Sequence, residues 1–155
     1  MNIRVITISD RASQGIYEDL SGPAIEKILL TQISGCTVSR RIVPDDRESV
    51  LRAFEEAADA DVIITAGGTG LSARDITPEV TELYCDRLVP GIAEIIRSES
   101  FKETPNAMLS RGVAGMRGKT IIVNFPGSLK AGEFCTRLMA PILPHALKMA
   151  RGEGH

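Results

Sequence analysis

A chain of 155 residues, with 43% hydrophobic and 25% charged residues, has the size and composition of one globular domain with its own core. Its formal net charge of −2 argues against non-specific nucleic-acid binding, because such binding needs a basic surface that displaces counterions. Three cysteines stand far apart without metal-binding spacing, so we expect neither a disulfide framework nor a zinc site.

The N-terminal segment and the apolar runs do not have the pattern of targeting or membrane segments. The first apolar stretch becomes polar after about seven residues, too soon for a signal peptide. No run approaches the ~20 apolar residues that a membrane helix needs. We therefore expect one domain over residues 1–155, located in the cytoplasm, with neither a membrane nor a nucleic acid among its partners.

Four short segments rich in β-branched residues predict strands. Three of them, at residues 3–9, 61–65 and 120–124, are nearly continuous apolar runs, the pattern of strands buried on both faces. The fourth, at residues 37–43, is more polar, and we expect it nearer an edge of the sheet.

Helical segments alternate with these strands. Residues typical of helix N-caps stand before three of the segments: Ser21, Asp45 or Asp46, and Thr77. Further helices are expected over residues 92–101 and 130–151, the second interrupted at Pro141 and Pro144. Strands that alternate with helices predict a single three-layer α/β domain, with a mostly parallel sheet and helices on both faces.

Unusual residues follow the carboxyl end of each predicted strand. Ser-Asp-Arg stands at residues 9–11, Pro-Asp-Asp at 44–46, Ala-Gly-Gly-Thr-Gly at 66–70 and Phe-Pro-Gly-Ser at 125–128. Parallel α/β sheets bind ligands beyond the carboxyl ends of their strands. Four turns rich in Gly, Asp and Ser along one edge therefore predict a ligand site at that edge.

The glycine-rich turn comprises Gly67, Gly68, Thr69 and Gly70. Glycines accept positive φ and let a ligand approach the backbone closely, so consecutive N–H groups can bind an anion. The motif has neither the lysine of a Walker A loop nor the spacing of a dinucleotide fingerprint. On the motif alone, a plain turn and a phosphate-binding loop both remain open.

Two aspartates are candidate ligands of Mg²⁺. Asp75 follows Arg74 just before a helix start, and Thr77 is the better cap there, which favours a role for Asp75 in holding Mg²⁺ against phosphate oxygens. Asp45 precedes Asp46 at another helix start, and one cap uses only one of them. Asp45 is therefore either a cap or a site residue.

Three further stretches offer polar groups to the same edge. The long polar segment at residues 9–20 is either a lid over the substrate or a mobile loop. Gly127 and Ser128, after Pro126, can present N–H and hydroxyl donors to a phosphate at a helix start, or Ser128 can simply cap the turn. Ser110 and Arg111 pair a hydroxyl with a guanidinium, which suits a phosphate, although most such pairs are on the surface.

The sequence does not favour a protein nucleophile. Its only histidines are His145, in the last helical segment, and His155, which we expect to be disordered. No Ser-His or Cys-His pair is available unless His145 reaches the site. Transfer to a phosphate fits this set of residues, because positioning and charge neutralisation then do most of the work.

Five stretches together resemble the molybdopterin adenylyltransferases of bacteria and the G domain of gephyrin. They are residues 8–19, 43–45, 67–79, 107–111 and 124–128, in the same order as in that family. The resemblance implies a molybdopterin-binding-domain-like fold, assembled as a homotrimer. It implies transfer of AMP from ATP, with Mg²⁺, to the terminal phosphate of molybdopterin, and release of pyrophosphate. It also suggests hand-over of the product to the molybdenum insertion protein.

The same resemblance assigns roles to particular residues. Asp45 and Asp75 are the expected catalytic and metal-binding carboxylates, and Ser110 is expected on the pterin side. The remaining residues expected to bind the substrates are Ser9, Asp10, Gly67, Gly68, Thr69, Gly70, Arg74, Pro126, Gly127 and Ser128. Leu129 departs from the proline common in the family, so we expect a looser turn before it.

Two other functions remain open. The first alternative is a non-catalytic molybdopterin-binding paralogue that acts as a carrier or an assembly partner. The loop at residues 9–13, with Tyr17, resembles the active branch more closely. The second alternative is a related nucleotide-cleaving domain, which the motif at residues 107–111 disfavours.

Overall fold

The computed structural model describes residues 1–153, which form one six-stranded sheet flanked by helices. The strands are β1 (Asn2–Ile8), β2 (Thr37–Val43), β3 (Val62–Ala66), β4 (Arg87–Leu88), β5 (Ala114–Arg117) and β6 (Thr120–Phe125). The helices are α1 (Asp10–Ser13), α2 (Ser21–Gln32), α3 (Arg47–Glu56), α4 (Thr77–Tyr84), α5 (Pro90–Glu103), α6 (Leu129–Met139) and α7 (Leu143–Ala150). A 3₁₀ helix at Pro105–Leu109 follows α5.

The sheet has the strand order β2-β1-β3-β6-β5-β4. Strands β2, β1, β3 and β6 run parallel, whereas β5 pairs antiparallel with β6, and β4 with β5. The prediction of a mostly parallel sheet is confirmed, and the polar strand β2 lies at an edge as expected. Because the four parallel strands end at the same edge, the four turns rich in Gly, Asp and Ser lie there together.

Helices cover both faces of the sheet. Helices α2, α5, α6 and α7 bury apolar side chains against one face, and α3 and α4 against the other. Alternate residues of a strand contribute to the two cores: in β3, Ile64 belongs to the first and Ile63 to the second. This is the three-layer α/β arrangement that the alternation of strands and helices predicts.

Strands β3 and β6 lie side by side in the sheet, and every residue of both is buried. Their position between two helical layers explains why these segments are continuous apolar runs rather than alternating ones. Each fully buried isoleucine there contributes roughly 1.5–3 kcal/mol relative to an exposed one. The bounds of these strands differ from the predicted bounds by one residue, at residues 61 and 66 for β3 and at residue 125 for β6.

Two strands and two short helices have no counterpart in the sequence prediction. Strand β4 has two residues and β5 has four, which is too short for a periodic pattern. Helix α1 has four residues and the 3₁₀ helix has five, about one turn each. Strand β5 also contains Gly115, where a Cβ would lie 2.6 Å from the Cys85 sulfur, so close packing selects a residue that is rare in strands.

The prediction that Ser21 caps helix α2 is wrong. Ser21 is the first residue of the helix, and its hydroxyl donates to Oδ1 of Asp19 at 3.1 Å. The same carboxylate oxygen accepts the N–H of Gly22 at 2.9 Å, so Asp19 satisfies the start of the helix. Its other oxygen accepts the buried hydroxyl of Thr7 at 2.8 Å, which ties the loop before α2 to strand β1.

The prediction that Thr77 caps helix α4 is also wrong. Thr77 is the first residue of α4, and its buried hydroxyl donates to the carbonyl of Gly67 at 3.0 Å. Asp46, by contrast, caps α3 and accepts the N–H of Ser49 at 2.8 Å. The choice between two adjacent aspartates is therefore decided, because the cap uses Asp46 and leaves Asp45 for other contacts.

Helices α5, α6 and α7 differ in detail from the expected ones. Helix α5 extends beyond the predicted range at both ends, and the C-terminal region breaks once, at residues 140–142, between α6 and α7. Pro144 does not interrupt a helix, because it lies in the first turn of α7, where its missing N–H costs nothing. No helix within residues 1–153 is long and apolar enough to cross a membrane. His155 lies outside the described residues.

Candidate active site

A cavity of about 750 Å³ opens at the edge where the parallel strands end. Its size falls within the range of small-molecule sites. The predicted site residues that line it are Ser9, Gly67, Gly68, Thr69, Gly70, Asp75, Ser110, Pro126, Gly127 and Ser128. Segments far apart in the sequence thus share one space, as the positions of the strand ends predict. Three predicted residues, Asp10, Asp45 and Arg74, lie beside the cavity rather than in its wall.

The glycine-rich turn is held in a conformation that needs glycine. Gly67 has a φ of 113° and Gly68 a φ of 63°. A Cβ at Gly67 would lie 2.3 Å from the carbonyl oxygen of Ile8, and a Cβ at Gly68 would lie 2.3 Å from the hydroxyl of Thr77. The turn therefore has a structural reason for its glycines, and it still borders the cavity along all four residues.

Thr77 closes this turn against the start of α4. Its hydroxyl donates to the carbonyl of Gly67, and its N–H donates to the carbonyl of Gly68 at 3.1 Å. Two carbonyl groups of the turn are thus engaged by one residue that is completely buried. These two hydrogen bonds fix the turn against the start of α4.

Asp75 lies on the cavity wall next to the glycine-rich turn. Its Oδ2 accepts the N–H of Ser72 at 2.8 Å and lies 3.0 Å from the position of a Cβ on Gly70. Asp75 takes no part in capping α4, whose first residue is Thr77. This placement agrees with the interpretation of Asp75 as a site residue.

Asp45 and Asp10 are joined by two reciprocal hydrogen bonds. The N–H of Asp10 donates to Oδ2 of Asp45 at 2.7 Å, and the N–H of Asp45 donates to Oδ1 of Asp10 at 2.9 Å. The second oxygen of Asp10 pairs with the guanidinium of Arg74. Oδ1 of Asp45 lies 3.4 Å from the position of a Cβ on Gly68, so Asp45 stands directly behind the glycine-rich turn.

Burial raises the pKa of Asp45 above its ordinary value, and the nearby carboxylates of Asp10 and Asp75 act in the same direction. The hydrogen bond from the Asp10 N–H and the charge of Arg74 oppose this effect. The pKa of Asp46 is instead lowered, chiefly by the hydrogen bond from the Ser49 N–H. A cation placed beside a carboxylate stabilises its charged form, and this effect opposes the rise in the pKa of Asp45 that burial causes.

The two carboxylates suit a cation that is bound partly by the protein and partly by the phosphates of a substrate. Within residues 1–153, no three His, Cys, Asp or Glu side chains converge closely enough to hold a metal ion. Mg²⁺ usually keeps several waters and binds through one or two carboxylates together with substrate phosphates. In both Asp45 and Asp75 the hydrogen bond from the described residues goes to Oδ2, and Oδ1 of each accepts none from them.

Ser110 lies on the cavity wall, but Arg111 does not. The guanidinium of Arg111 donates to the carbonyl groups of Gly70 and Asp75 at 2.8 and 2.5 Å and pairs with Glu79. This pairing lowers the pKa of Glu79. The interpretation of Ser110 and Arg111 as a joint phosphate site is therefore wrong for Arg111, whose donors are engaged within the protein.

Residues 126–128 bring the end of β6 against the glycine-rich turn. A Cβ on Gly127 would lie 3.0 Å from the Cα of Gly67, so the two turns are in backbone contact. Ser128 caps α6 and accepts the N–H of Ala131 at 3.3 Å. The capped turn predicted from the sequence is confirmed, and the same residues line the cavity, while donation to a phosphate stays a prediction.

Tyr17 and Asp19 lie on the polar segment that the sequence predicts to be a lid or a mobile loop, and both line the cavity. Lys130, in the first turn of α6, also lines it and was not expected from the sequence. Lys130 pairs with Glu103, at the end of α5, at 3.5 Å. Further wall that was not expected comes from α5, from the segment after it and from α6, at Ser100, Glu103, Thr104, Asn106, Ala131 and Phe134. A Lys at a helix start was a detectable signal, because cations are unfavourable there unless an anion is near.

Neither His145 nor any of the three cysteines is among the described residues that line the cavity. Cys36 and Cys135 are buried, and burial raises the pKa of the Cys135 thiol to about 11. No described thiolate or imidazole is thus placed to attack a bound ligand. Chemistry without a protein nucleophile stays a prediction.

The fold and the cavity define an α/β ligand-binding domain with glycyl and acidic turns at the carboxyl edge of a parallel sheet. The chain belongs to the family described as "Probable molybdopterin binding domain", whose model matches residues 4–145.

Named relatives are similar over almost the whole chain. The molybdopterin adenylyltransferase of Helicobacter pylori (strain ATCC 700392 / 26695) is 40% identical, across 98% of this chain and 89% of that protein. The molybdopterin adenylyltransferase of Escherichia coli (strain K12) is 36% identical, across 84% of this chain and 69% of that protein.

Solved structures are similar as well. A structure described as "anomalous substructure of MogA" has a TM-score of 0.91 at 38% identity and covers 97% of this chain and 99% of its own. The molybdopterin biosynthesis enzyme MoaB from Thermus thermophilus has a TM-score of 0.85 at 41% identity, with 97% and 96% coverage. The family and the fold class expected from the sequence are confirmed.

Proposed function

We propose that this protein is a molybdopterin adenylyltransferase that moves AMP from MgATP to the terminal phosphate of molybdopterin. The relatives that bear this name match nearly the full chain. The observation that carries the proposal is the shared cavity, in which Gly67–Gly70, Asp75, Ser110 and residues 126–128 meet. Such a set of polar turns suits a ligand with several phosphates.

The proposed reaction is a nucleotidyl transfer. An oxygen of the terminal phosphate of molybdopterin attacks the α-phosphorus of ATP in line with the bond to the leaving group. A new phosphoanhydride bond forms, the bond between the α-phosphorus and its bridging oxygen breaks, and pyrophosphate leaves with that electron pair. No proton has to be removed from the attacking phosphate oxygen, so the absence of a histidine or cysteine from the described cavity wall is consistent with this chemistry.

The protein's contribution is to position the phosphates and balance their charge. We assign the N–H groups of Gly68–Gly70 to the phosphate oxygens, where fixed donors stabilise charge that develops during transfer. The start of α6 supplies further donors on the nucleotide side from Gly127 and Ser128, and Pro126 lines the cavity beside them. Ser110 is assigned to the pterin side, and Ser9 to the wall beside Asp10.

Asp45 and Asp75 are the proposed ligands of Mg²⁺, since Oδ1 of each accepts no hydrogen bond from the described residues and both side chains lie against the glycine-rich turn. When bound, Mg²⁺ would neutralise charge on the polyphosphate. Arg74 holds Asp10 through its ion pair, and Asp10 in turn holds Asp45 through the two reciprocal hydrogen bonds.

Three further parts of the proposal rest on the family resemblance. They are assembly as a homotrimer, a cytoplasmic location, and hand-over of adenylylated molybdopterin to the molybdenum insertion protein. Light scattering during size-exclusion chromatography tests the first directly: we expect three times the mass of the 16.7 kDa chain. A mass of one or two chains would contradict the trimer without affecting the proposed reaction.

The decisive experiment is to mix the protein with ATP, Mg²⁺ and molybdopterin and to detect adenylylated molybdopterin by mass, together with released pyrophosphate. Omission of ATP is the negative control. A carrier without transferase activity would bind molybdopterin but give no heat with MgATP in calorimetry. Formation of the product supports the enzyme, whereas pterin binding without nucleotide binding supports the carrier.

A further inference from the structure

Arg111 connects three segments that border the candidate site. Its main-chain N–H donates to the carbonyl of Thr69 at 2.8 Å, and its Nε donates to the carbonyl of Gly70 at 2.8 Å. Nη2 donates to the carbonyl of Asp75 at 2.5 Å, and Nη1 pairs with the carboxylate of Glu79. One residue therefore holds the glycine-rich turn, the turn that carries Asp75 and the first turn of α4.

These contacts need the shape of a guanidinium. Its five N–H donors lie in one rigid plane, so Nε and the two Nη atoms can reach three acceptors in different directions. The acceptors at Gly70 and Asp75 are main-chain carbonyl groups, so the contacts fix peptide planes rather than side chains. A lysine would keep the positive charge, but its single ammonium cannot occupy all three positions.

Arg111 also connects opposite parts of the cavity wall. Its neighbour Ser110 lines the cavity, while Arg111 itself does not. The hydrogen bond from its N–H to the carbonyl of Thr69 therefore joins the segment of Ser110 to the glycine-rich turn. The distance between the proposed pterin side and the proposed phosphate side is set in part by this one residue.

We propose that Arg111 is a positioning residue for AMP transfer, which aligns Asp75 and the N–H groups of the glycine-rich turn without touching the substrates. This inference rests on the proposed function, because it concerns the alignment of that same site. Misplacement of reacting groups by about 1 Å can cost ~10²-fold in rate. Loss of the hydrogen bonds that Arg111 donates should therefore lower kcat more than it raises KM.

The first test is Arg111→Lys, with Arg52→Lys as the matched control. Arg52 lies on α3 and makes one exposed pair with Glu48, away from the described cavity wall. We expect R111K to lower kcat by about 10- to 100-fold, with KM for MgATP changed by no more than about threefold. R52K should leave both constants unchanged. Melting temperatures within about 2–4 °C of the parent would show that any loss of stability is no more than ~1 kcal/mol.

A second test uses Arg111→Ala with methylguanidinium added at non-denaturing concentrations. The Arg111 side chain is 35% exposed, so the space that it leaves is open to a small ion. We expect partial recovery of kcat with methylguanidinium and none with methylammonium, because only the planar ion can engage both carbonyl groups. Recovery with both ions, or with neither, would contradict the positioning role.

Hydrogen exchange provides a readout that does not depend on activity. Amides at residues 68–76 should exchange faster in R111K than in the parent and in R52K. If the parent makes no adenylylated product, the proposed function fails, and the exchange data still decide whether Arg111 holds the turn. Unchanged kcat and unchanged exchange in R111K would overturn the inference. A rise in KM with kcat unchanged would overturn it as well, because it would indicate that Arg111 contacts a phosphate directly.

Discussion

Asp10 and Asp45 hold each other through their main chains: each N–H donates to the carboxylate of the other residue, at 2.7 and 2.9 Å. This arrangement brings two acidic side chains together at the ends of neighbouring strands β1 and β2. Burial and the charges of Asp10 and Asp75 raise the pKa of Asp45. The protein thus maintains a carboxylate at an unfavourable position, which is typical of a functional site rather than of a stabilising contact.

Asp45→Asn is expected to lower AMP transfer by about 10²-fold or more, because it removes charge that would hold the cation on the polyphosphate. The amide oxygen can still accept the N–H of Asp10, so the local fold should persist. Release of pyrophosphate measures the effect. The adjacent Asp46→Asn is the matched control: Asn is as good a helix cap as Asp, and Asp46 caps α3. Equal losses in D45N and D46N would contradict a special role for Asp45.

Asp45→Asn should also stabilise the protein at neutral pH in the absence of Mg²⁺ and nucleotide. The pKa of Asp45 is raised in the folded state from an ordinary value of 3.8. The folded state therefore holds this proton more tightly, and Asp45 lowers stability as pH rises from 3.8 through its raised pKa. Urea unfolding at pH 7 should show D45N to be more stable than the parent, and the gain should shrink as the pH approaches 3.8. A gain that stays constant over this range would rule out the ionisation of Asp45 as its cause.

Asp75→Asn should lower pyrophosphate release by about 10²-fold while leaving the melting temperature near that of the parent. Within the described residues, the Asp75 side chain accepts one hydrogen bond, from the N–H of Ser72, and the amide oxygen of an asparagine can accept it too. Asp59→Asn is the control, since Asp59 is 67% exposed and pairs only with Arg4. Activity of D75N close to that of the parent and of D59N would remove Asp75 from the mechanism.

The position of the site could be predicted from the sequence because it depends on strand ends alone. Continuous apolar runs identify buried strands such as β3 and β6, and parallel strands place the turns that follow them on one edge. The glycine-rich turn at residues 67–70 and the turn at residues 126–128 therefore meet without any knowledge of the helices between them. The short strands β4 and β5 could not be predicted in this way, because two to four residues are too few to show a pattern of alternating or continuous apolar residues.

The partners of individual side chains could not be predicted in the same way. Arg111 donates to carbonyl groups 41 and 36 residues earlier in the chain, and no local pattern reports such contacts. The start of α2 is different, because Asp19 stands three residues before Gly22, whose N–H it accepts. That spacing is the ordinary pattern of an N-terminal cap, and it identifies Asp19 from the sequence better than it identifies Ser21.

Gly68→Ala should destabilise the protein and reduce transfer activity. Gly68 has a φ of 63°, and a Cβ there would lie 2.3 Å from the hydroxyl of Thr77. Left-handed backbone costs an alanine roughly 1–2 kcal/mol, and displacement of Thr77 would add the loss of its hydrogen bond to Gly67. Thermal unfolding and pyrophosphate release measure the two effects.

Two comparisons separate the causes of the loss in Gly68→Ala. Gly91→Ala is the control, because Gly91 is exposed in the first turn of α5, has no atom within 4 Å of an added Cβ, and should gain about 0.4–1 kcal/mol in stability. In Gly68→Ala with Thr77→Ser the hydroxyl remains at the same place, so the clash should persist. Thr77→Ala removes the hydroxyl, and the double variant G68A/T77A should then lose less than the sum of its single variants, because the clash present in G68A is absent from the double variant. Strict additivity would show that the φ of Gly68, rather than contact with Thr77, limits this turn.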